Sequence, residues 1–237
     1  MDLREQILLE LILESDLPVS EAAMFVTPKI RRALKDTPVV TKKEFLDEVR
    51  PCDILVTFTP KKTLQSTFVQ VKAKFMSMFQ ASPFTSSKLA LNRNIIAGYG
   101  VDPTTDNYLQ TYSLHNFINR WIQEAMLIRV PDVTADQKKK IQQYLRSRMG
   151  LTYNSDQVLK SAWKRFYKKI LPAFRGKDPD PKLLRQLRDP LFCSNIIAVA
   201  YKAAGYRKSF GKSIYDIWPR DFITAPFTEK VCRIEYK

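Results

Sequence analysis

The residue best placed to do chemistry in this sequence is Cys193, at the start of a predicted helix. The helix is expected to begin after Pro190, because proline is not tolerated inside a helix, and to end just before Gly205, since glycine commonly follows a helix end. A thiol at this point lies in the partial positive charge of the helix N-terminus, which favours the reactive thiolate. The pattern indicates a cysteine nucleophile. Its plainer interpretation is a small buried residue at a helix start.

Metal and cofactor chemistry find little support in the rest of the sequence. The three cysteines, Cys52, Cys193 and Cys232, are far apart and lack the CxxC spacing of zinc sites. With a single histidine, His115, a histidine-based metal site is not expected either. The sequence also lacks a glycine-rich phosphate loop. We therefore expect no metal site, and a chain made in a reducing compartment.

The net charge of the chain is unusually positive. Its 39 Lys and Arg residues against 24 Asp and Glu give +15 at pH 7, which implies an acidic partner such as nucleic acid, an anionic membrane surface or an acidic protein face. Residues 138–189 alone contain fifteen Lys and Arg against four Asp and Glu, interleaved with aromatic residues such as Trp163 and Phe166. Two interpretations stay open. One is nucleic-acid binding that salt weakens steeply, and the other is a pair of helices with solvated lysines.

The first part of the chain is predicted to be a helical extension. Residues 1–50 contain too few apolar side chains for a core of their own. Residues 2–14 have the pattern of an amphipathic helix that packs on the body or docks into a partner. The early acidic residues argue against a signal peptide, and no apolar run is long enough to span a bilayer. These features predict a soluble protein without a transmembrane segment.

The rest of the chain predicts a mixture of strands and helices, and hence an α+β fold. The predicted strands are residues 53–58, 87–91, 94–98, 125–130 and 230–236. The predicted helices are residues 30–34, 43–49, 66–79, 114–121 and 134–150, together with the helix that starts near Cys193. Asn92 and Arg93 are expected to form a tight turn, residues 99–112 a polar loop, and residues 218–222 a turn.

The order of these parts resembles the circularly permuted papain-like hydrolases of the NlpC type, a family with bacterial, phage and poxvirus members. The matching motifs, in chain order, are Asp53-Ile54-Leu55, Ser82-Pro83-Phe84-Thr85, Ile128-Arg129-Val130, Thr152-Tyr153-Asn154, Cys193-Ser194 and Pro219-Arg220-Asp221-Phe222. The resemblance implies a permuted papain-like domain over residues 51–237, with a basic helical insertion at about 155–189. It also implies an antiparallel sheet packed against the cysteine helix. The family's reaction is amide or ester hydrolysis on peptidoglycan peptides or acyl-lipids, with no cofactor.

Carried over onto this sequence, the resemblance keeps the nucleophile and loses its partners. Cys193 matches the family's Cys-Ser at a helix start, whereas the position of the family's histidine is Ser86. The residue that orients the histidine falls at Ala97 or Gly98, and neither side chain can do so. A cysteine nucleophile needs an adjacent base, and a serine hydroxyl is not one near neutral pH. The family uses the segment around His115 as a helix away from the cleft, so His115 is not expected to replace the base.

The leading hypothesis is therefore a catalytically degenerate domain, a pseudoenzyme that acts as a structural or binding protein in a virus or phage particle. One alternative is a live cysteine amidase or acyl hydrolase with an unusual base. A second alternative is a nucleic-acid-binding protein that uses residues 138–189. The expected partners are other structural proteins at residues 2–14 and an acidic partner or nucleic acid at residues 138–189. The expected location is the virion or the cytoplasm of the producing cell.

Overall fold

The fold is built on one antiparallel sheet of six strands. The computed structural model describes residues 27–58, 86–99, 108–121, 124–152, 193–211 and 217–235. Within them the strands are β1 Ile54–Phe58, β2 Ser86–Ala90, β3 Ile95–Tyr99, β4 Leu109–Ser113, β5 Glu124–Arg129 and β6 Glu229–Ile234. Their spatial order is β4-β3-β2-β1-β5-β6, and every neighbouring pair is antiparallel. The predicted α+β class is therefore confirmed.

Helices cover both faces of this sheet. They are α1 Pro28–Asp36, α2 Lys42–Glu48, α3 Leu114–Asn116, α4 Ala135–Ser147, α5 Cys193–Ala203 and α6 Pro219–Thr224, and a π-helical turn, Phe117–Trp121, follows α3. Their starting points follow from local chemistry. Thr41 and Thr134 each accept a hydrogen bond from the backbone three residues on, in capping boxes completed by Glu44 and Gln137.

The two faces of the sheet bury separate apolar clusters, because alternate residues of a strand point to opposite sides. We call the side covered by α4 and α5 the cysteine face and the side covered by α2 and α3 the far face. The cysteine face includes the buried side chains of Ile54, Val56, Leu89, Ala97, Met126, Ile141, Cys193, Ile196 and Ala200. The far face includes those of Phe45, Leu55, Ala90, Ile96, Leu114, Phe117, Ala125 and Leu127.

The described part of the predicted extension is packed against the sheet. Ile30 of α1 is fully buried in the cysteine-face cluster, and Phe45 of α2 is fully buried in the far-face cluster. Between the two helices, the Val40 N–H donates to the Arg233 carbonyl at 2.9 Å. Residues 27–50 thus obtain their burial from the sheet, as expected for a segment too poor in apolar residues to form its own core.

A buried ion pair fixes the start of β1 to the end of β5. Arg129 donates two hydrogen bonds to the Asp53 carboxylate, from Nε at 2.9 Å and from Nη2 at 2.7 Å, and a third to the Glu48 carbonyl at 2.8 Å. The Arg50 N–H also donates to Asp53. Burial raises the pKa of Asp53, and the hydrogen bond and charge of Arg129 oppose that shift. The arginine thus limits the rise in the pKa of this buried carboxyl.

Two sequence predictions need correction. Part of the predicted polar loop at residues 99–112 is strand β4, which pairs with β3 from Ile95↔Ser113 to Tyr99↔Leu109. The predicted turn at residues 218–222 contains the short helix α6, in which Pro219 is the first residue. The predicted helices at 2–14 and 66–79 and the basic insertion at 155–189 lie outside the described residues. Among the helices that are described, none has the length and apolar character needed to cross a membrane.

Candidate functional site

Helix α5 holds Cys193 in its first turn, against the sheet. The thiol is 7% exposed and belongs to the cysteine-face core. Beside it, the Ser194 hydroxyl donates to the Ile217 carbonyl at 2.6 Å. At the other end of the helix, the Tyr201 hydroxyl donates to the Cys52 carbonyl at 2.7 Å. These two bonds anchor both ends of α5, so the position of the thiol is set by the scaffold.

Helix α5 packs against β2 on the cysteine face of the sheet. Tyr201 is anchored at Cys52, whose N–H in turn donates to the Ala90 carbonyl at the end of β2.

The two serines at the start of β2 point to opposite sides of the sheet. Leu89 belongs to the cysteine-face cluster and Ala90 to the far-face cluster, so strand alternation places Ser87 on the cysteine face and Ser86 on the far face. The Ser87 hydroxyl is fully buried and has no hydrogen-bond partner within the described residues. Ser87 therefore lies on the same face of the sheet as Cys193, whereas Ser86 lies on the opposite face. The equivalence of Ser86 with the family's histidine stays a prediction.

The neighbouring strand offers no group that could orient a base. Ala97, which pairs with Leu89, is buried on the cysteine face and presents a methyl group. Gly98, the next residue, lies on the far face and has no side chain. These are the two residues at which the resemblance places the orienting group.

The single histidine of the chain is on the other side of the sheet. His115 is exposed on α3, whose flanking residues Leu114 and Phe117 pack into the far-face core. Its Nε2 atom is 3.0 Å from Nδ2 of Asn119. It lines a groove of about 810 Å³ whose other lining residues include Lys42, Lys43, Arg93 and Asn94. The whole sheet therefore separates this imidazole from the Cys193 thiol.

Lys88 is a buried titratable residue that was not among the candidate site residues predicted from the sequence. Its side chain is fully buried on the far face, and Nζ lies 2.5 Å from the Tyr99 carbonyl and 3.2 Å from the Ser86 hydroxyl. The ammonium is 5.7 Å from the centre of the Phe117 ring. Burial lowers the pKa of Lys88 to about 8, and negative charge on Cys193 acts in the opposite direction. Within the described residues, Lys88 contacts no carboxylate.

Gly98 makes room for this lysine. A Cβ atom at position 98 would lie 2.1 Å from Cδ of Lys88, far inside contact distance. The chain of the lysine therefore crosses directly over the backbone of β3 on its way to the Tyr99 carbonyl. A lysine in one strand of a predicted strand pair, opposite a glycine in the other strand, is the sequence pattern that could have indicated this pair.

The other two cysteines are structural residues rather than nucleophiles. Cys52 and Cys232 are buried and form no disulfide. Burial raises the pKa of Cys52 to about 11 and that of Cys232 to about 12, which keeps both thiols protonated. The described residues contain no group of three or more His, Cys, Asp and Glu side chains that could hold a metal ion.

Only the start of the basic segment 138–189 is described. Lys139, Lys140 and Arg146 are exposed on α4, and Lys140 is paired with Asp136 at 2.7 Å. The aromatic residues that nucleic-acid binding would use, such as Trp163 and Phe166, lie outside the described residues, so nucleic-acid binding by this segment stays a prediction. Comparison with known proteins gives no further guidance, since no protein-family model and no curated protein matches this chain.

Proposed function

We propose that this chain is a permuted papain-like domain of the NlpC type that has lost cysteine hydrolysis and acts by binding. The observation that supports the loss is the separation of His115 from Cys193 by the sheet. Because His115 is the single histidine of the sequence, the thiol cannot have an imidazole base within the same chain. A thiol without a base to take its proton and return it to the leaving group loses several orders of magnitude in rate.

Among the described residues, the polar groups on the thiol's side of the sheet do not replace the histidine. Ser87 offers a hydroxyl, and Asn195, buried in the first turn of α5, offers an amide. Neither accepts a proton near neutral pH. The Lys88 amine is on the far face, where it is held by the Tyr99 carbonyl and the Ser86 hydroxyl. The surroundings of Cys193 are thus those of a buried core residue.

The order and packing of the elements support the family assignment. Five of the six strands of the sheet precede the cysteine helix in the chain and β6 follows it, which is compatible with the permuted order of this family. The helix that begins with Cys193 packs directly on the central strands of an antiparallel sheet. The similarity to the family lies in the order and packing of the elements. At the position of the family's catalytic histidine, this chain has a serine, Ser86, according to the resemblance.

An acidic partner suits a binding role for this domain. The net charge of +15 favours anionic surfaces, and the far side of the molecule presents a basic groove. Lys42, Lys43 and Arg93 line that groove against one carboxylate, Asp47. We propose a structural or binding role within a virus or phage particle, where such domains contact acidic neighbours or packaged nucleic acid.

The substitution Cys193→Ala tests the loss of catalysis. We expect the variant to hydrolyse fluorogenic peptide amides and acyl esters at the same rate as the wild type. We also expect both proteins to be eluted from a phosphocellulose column at the same salt concentration, because the thiol contributes to neither property. Cys232→Ala removes another buried thiol, which lies on the far face of the sheet, opposite to Cys193. It is the matched control for general effects of removing a thiol. A hydrolysis rate that Cys193→Ala abolishes and Cys232→Ala leaves intact would establish a live cysteine hydrolase and refute the proposal.

A further inference from the structure

We propose that Ser86 and Lys88 form a second reactive centre, in which the lysine amine acts as the base for the serine hydroxyl in acyl or phosphonyl transfer. This centre is on the far face of the sheet and does not involve Cys193. It goes beyond the proposed function, which consists of the loss of cysteine hydrolysis at Cys193 and a role in binding.

The geometry of the pair is that of a nucleophile and its base. Ser86 and Lys88 are two residues apart on one strand, so both side chains point to the same face. The distance of 3.2 Å between Nζ and Oγ is within hydrogen-bond range. A neutral amine has two N–H donors and one lone pair. The Tyr99 carbonyl accepts one N–H at 2.5 Å, which leaves the lone pair available to the Ser86 hydroxyl.

The surroundings of Lys88 favour the neutral amine that a base requires. The side chain is fully buried, and among the described residues the groups around it are apolar or uncharged: Leu55 and Thr57 of β1, Gly98 of β3 and the Phe117 ring. Cys193, across the sheet, is the only titratable group of the described residues whose charge acts on it. Burial without a counter-charge is how proteins turn a lysine into a base near neutral pH.

Solvent reaches the serine of this pair but not the lysine. Ser86 is partly exposed, whereas Lys88 is closed off from solvent. A reagent can therefore reach the Ser86 hydroxyl, while the Lys88 amine remains shielded from water. Thr57 pairs with Ser86 across the β1–β2 ladder. Its hydroxyl is buried without a hydrogen-bond partner among the described residues, which provides a donor beside the reacting oxygen.

The reaction can be written for a fluorophosphonate, a probe for activated serines. The Ser86 oxygen attacks phosphorus and forms a P–O bond, the P–F bond breaks, and fluoride leaves. The proton of the hydroxyl passes to Nζ of Lys88, which becomes an ammonium ion. With a carboxylic ester, the same oxygen forms an acyl-serine and the alcohol departs after it regains a proton from Lys88.

Labelling of the full chain with a fluorophosphonate, followed by mass spectrometry of the adduct, tests this pair. We expect the adduct on Ser86, its loss in Ser86→Ala, and no change in Ser87→Ala, the matched control on the opposite face of the same strand. Lys88→Met should slow labelling by about 10²–10⁴-fold, the usual contribution of a general base. In the wild type the labelling rate should rise with pH and level off above about 8.

Two results would overturn the proposal. One is an adduct that is absent from Ser86 in the folded wild-type protein. The other is a Ser86 adduct that forms at the same rate in Lys88→Met and has a flat pH profile in the wild type. The pH profile needs no substitution, so it decides the question even if Lys88→Met fails to fold.

Discussion

Lys88→Met is expected to stabilise the folded protein at pH 7 by about 2 kcal/mol. The fall in the pKa of Lys88 from 10.5 to about 8 on folding corresponds to a cost of about 3 kcal/mol for burying the ammonium. Methionine fills the same space without a charge. The variant leaves the Tyr99 carbonyl and the Ser86 hydroxyl without the amine, which costs about 1 kcal/mol in return. Lys139→Met, at an exposed lysine of α4, is the control and should change stability by less than about 0.5 kcal/mol.

The pH dependence of this difference gives a sharper test. Between pH 8 and 10.5 the unfolded chain keeps the Lys88 proton while the folded chain has lost it, so unfolding takes up a proton and the wild type gains stability as pH rises. The advantage of Lys88→Met should therefore be complete below pH 8 and shrink toward pH 10.5. The raised pKa values of Cys52 and Cys232 act in the opposite direction, but both proteins share them. Urea unfolding at several pH values measures the difference, and a constant difference would show that Lys88 is not a buried ammonium at pH 7.

Arg129→Met is expected to destabilise the protein by about 3–5 kcal/mol, because it leaves the Asp53 carboxylate buried and unpaired. Asp53 is 2% exposed, and its pKa, already raised by burial, would rise further without the arginine. The loss should be smaller at low pH, where the isolated carboxyl is protonated in both states. Urea unfolding of the wild type and of Arg129→Met at neutral and acidic pH measures this loss of stability and its dependence on pH.

Two further variants separate the ion pair from general effects. Arg146→Met removes an exposed arginine of α4 and should cost little. The double substitution of Asp53→Asn with Arg129→Met removes both charges and should recover part of the loss. A loss of less than about 1 kcal/mol in Arg129→Met would mean that the pair behaves as an exposed salt bridge.

The elements with strong local signals were predictable. β1 is a β-branched and apolar run, and β2 and β3 were expected as a pair around Asn92, whose side-chain oxygen accepts from the N–H groups of Asn94 and Ile95. The helix α4 was expected from Thr134, which the structure confirms as its cap. Each of these features depends on contacts within a few residues, which a sequence displays directly.

β4 was missed because its stabilisation is not local. In its sequence, Leu109-Gln110-Thr111-Tyr112-Ser113, only Leu109 is buried, and the other four residues are partly or fully exposed at the edge of the sheet. Such a polar strand is stabilised by its pairing with β3. The sequence of the strand alone does not indicate this pairing.

The candidate site could be predicted only in part. A helix beginning at Cys193 was expected and is confirmed. Which of Ser86 and Ser87 faces the thiol depends on the register of β2, where a shift of one residue exchanges the two faces of the sheet. Lys88 was missed because lysine in a strand is ordinarily exposed, and its burial depends on Gly98 in the neighbouring strand.

The most direct test of the proposed loss of cysteine chemistry is the pH profile of Cys193 alkylation by iodoacetamide. The measurement uses the folded protein with Cys52→Ser and Cys232→Ser, and compares it with the same protein carrying His115→Ala. Because the sheet separates His115 from Cys193, we predict the same profile in both proteins. A fast reaction at acidic pH that disappears with His115→Ala would show a working thiolate–imidazolium pair and contradict the account.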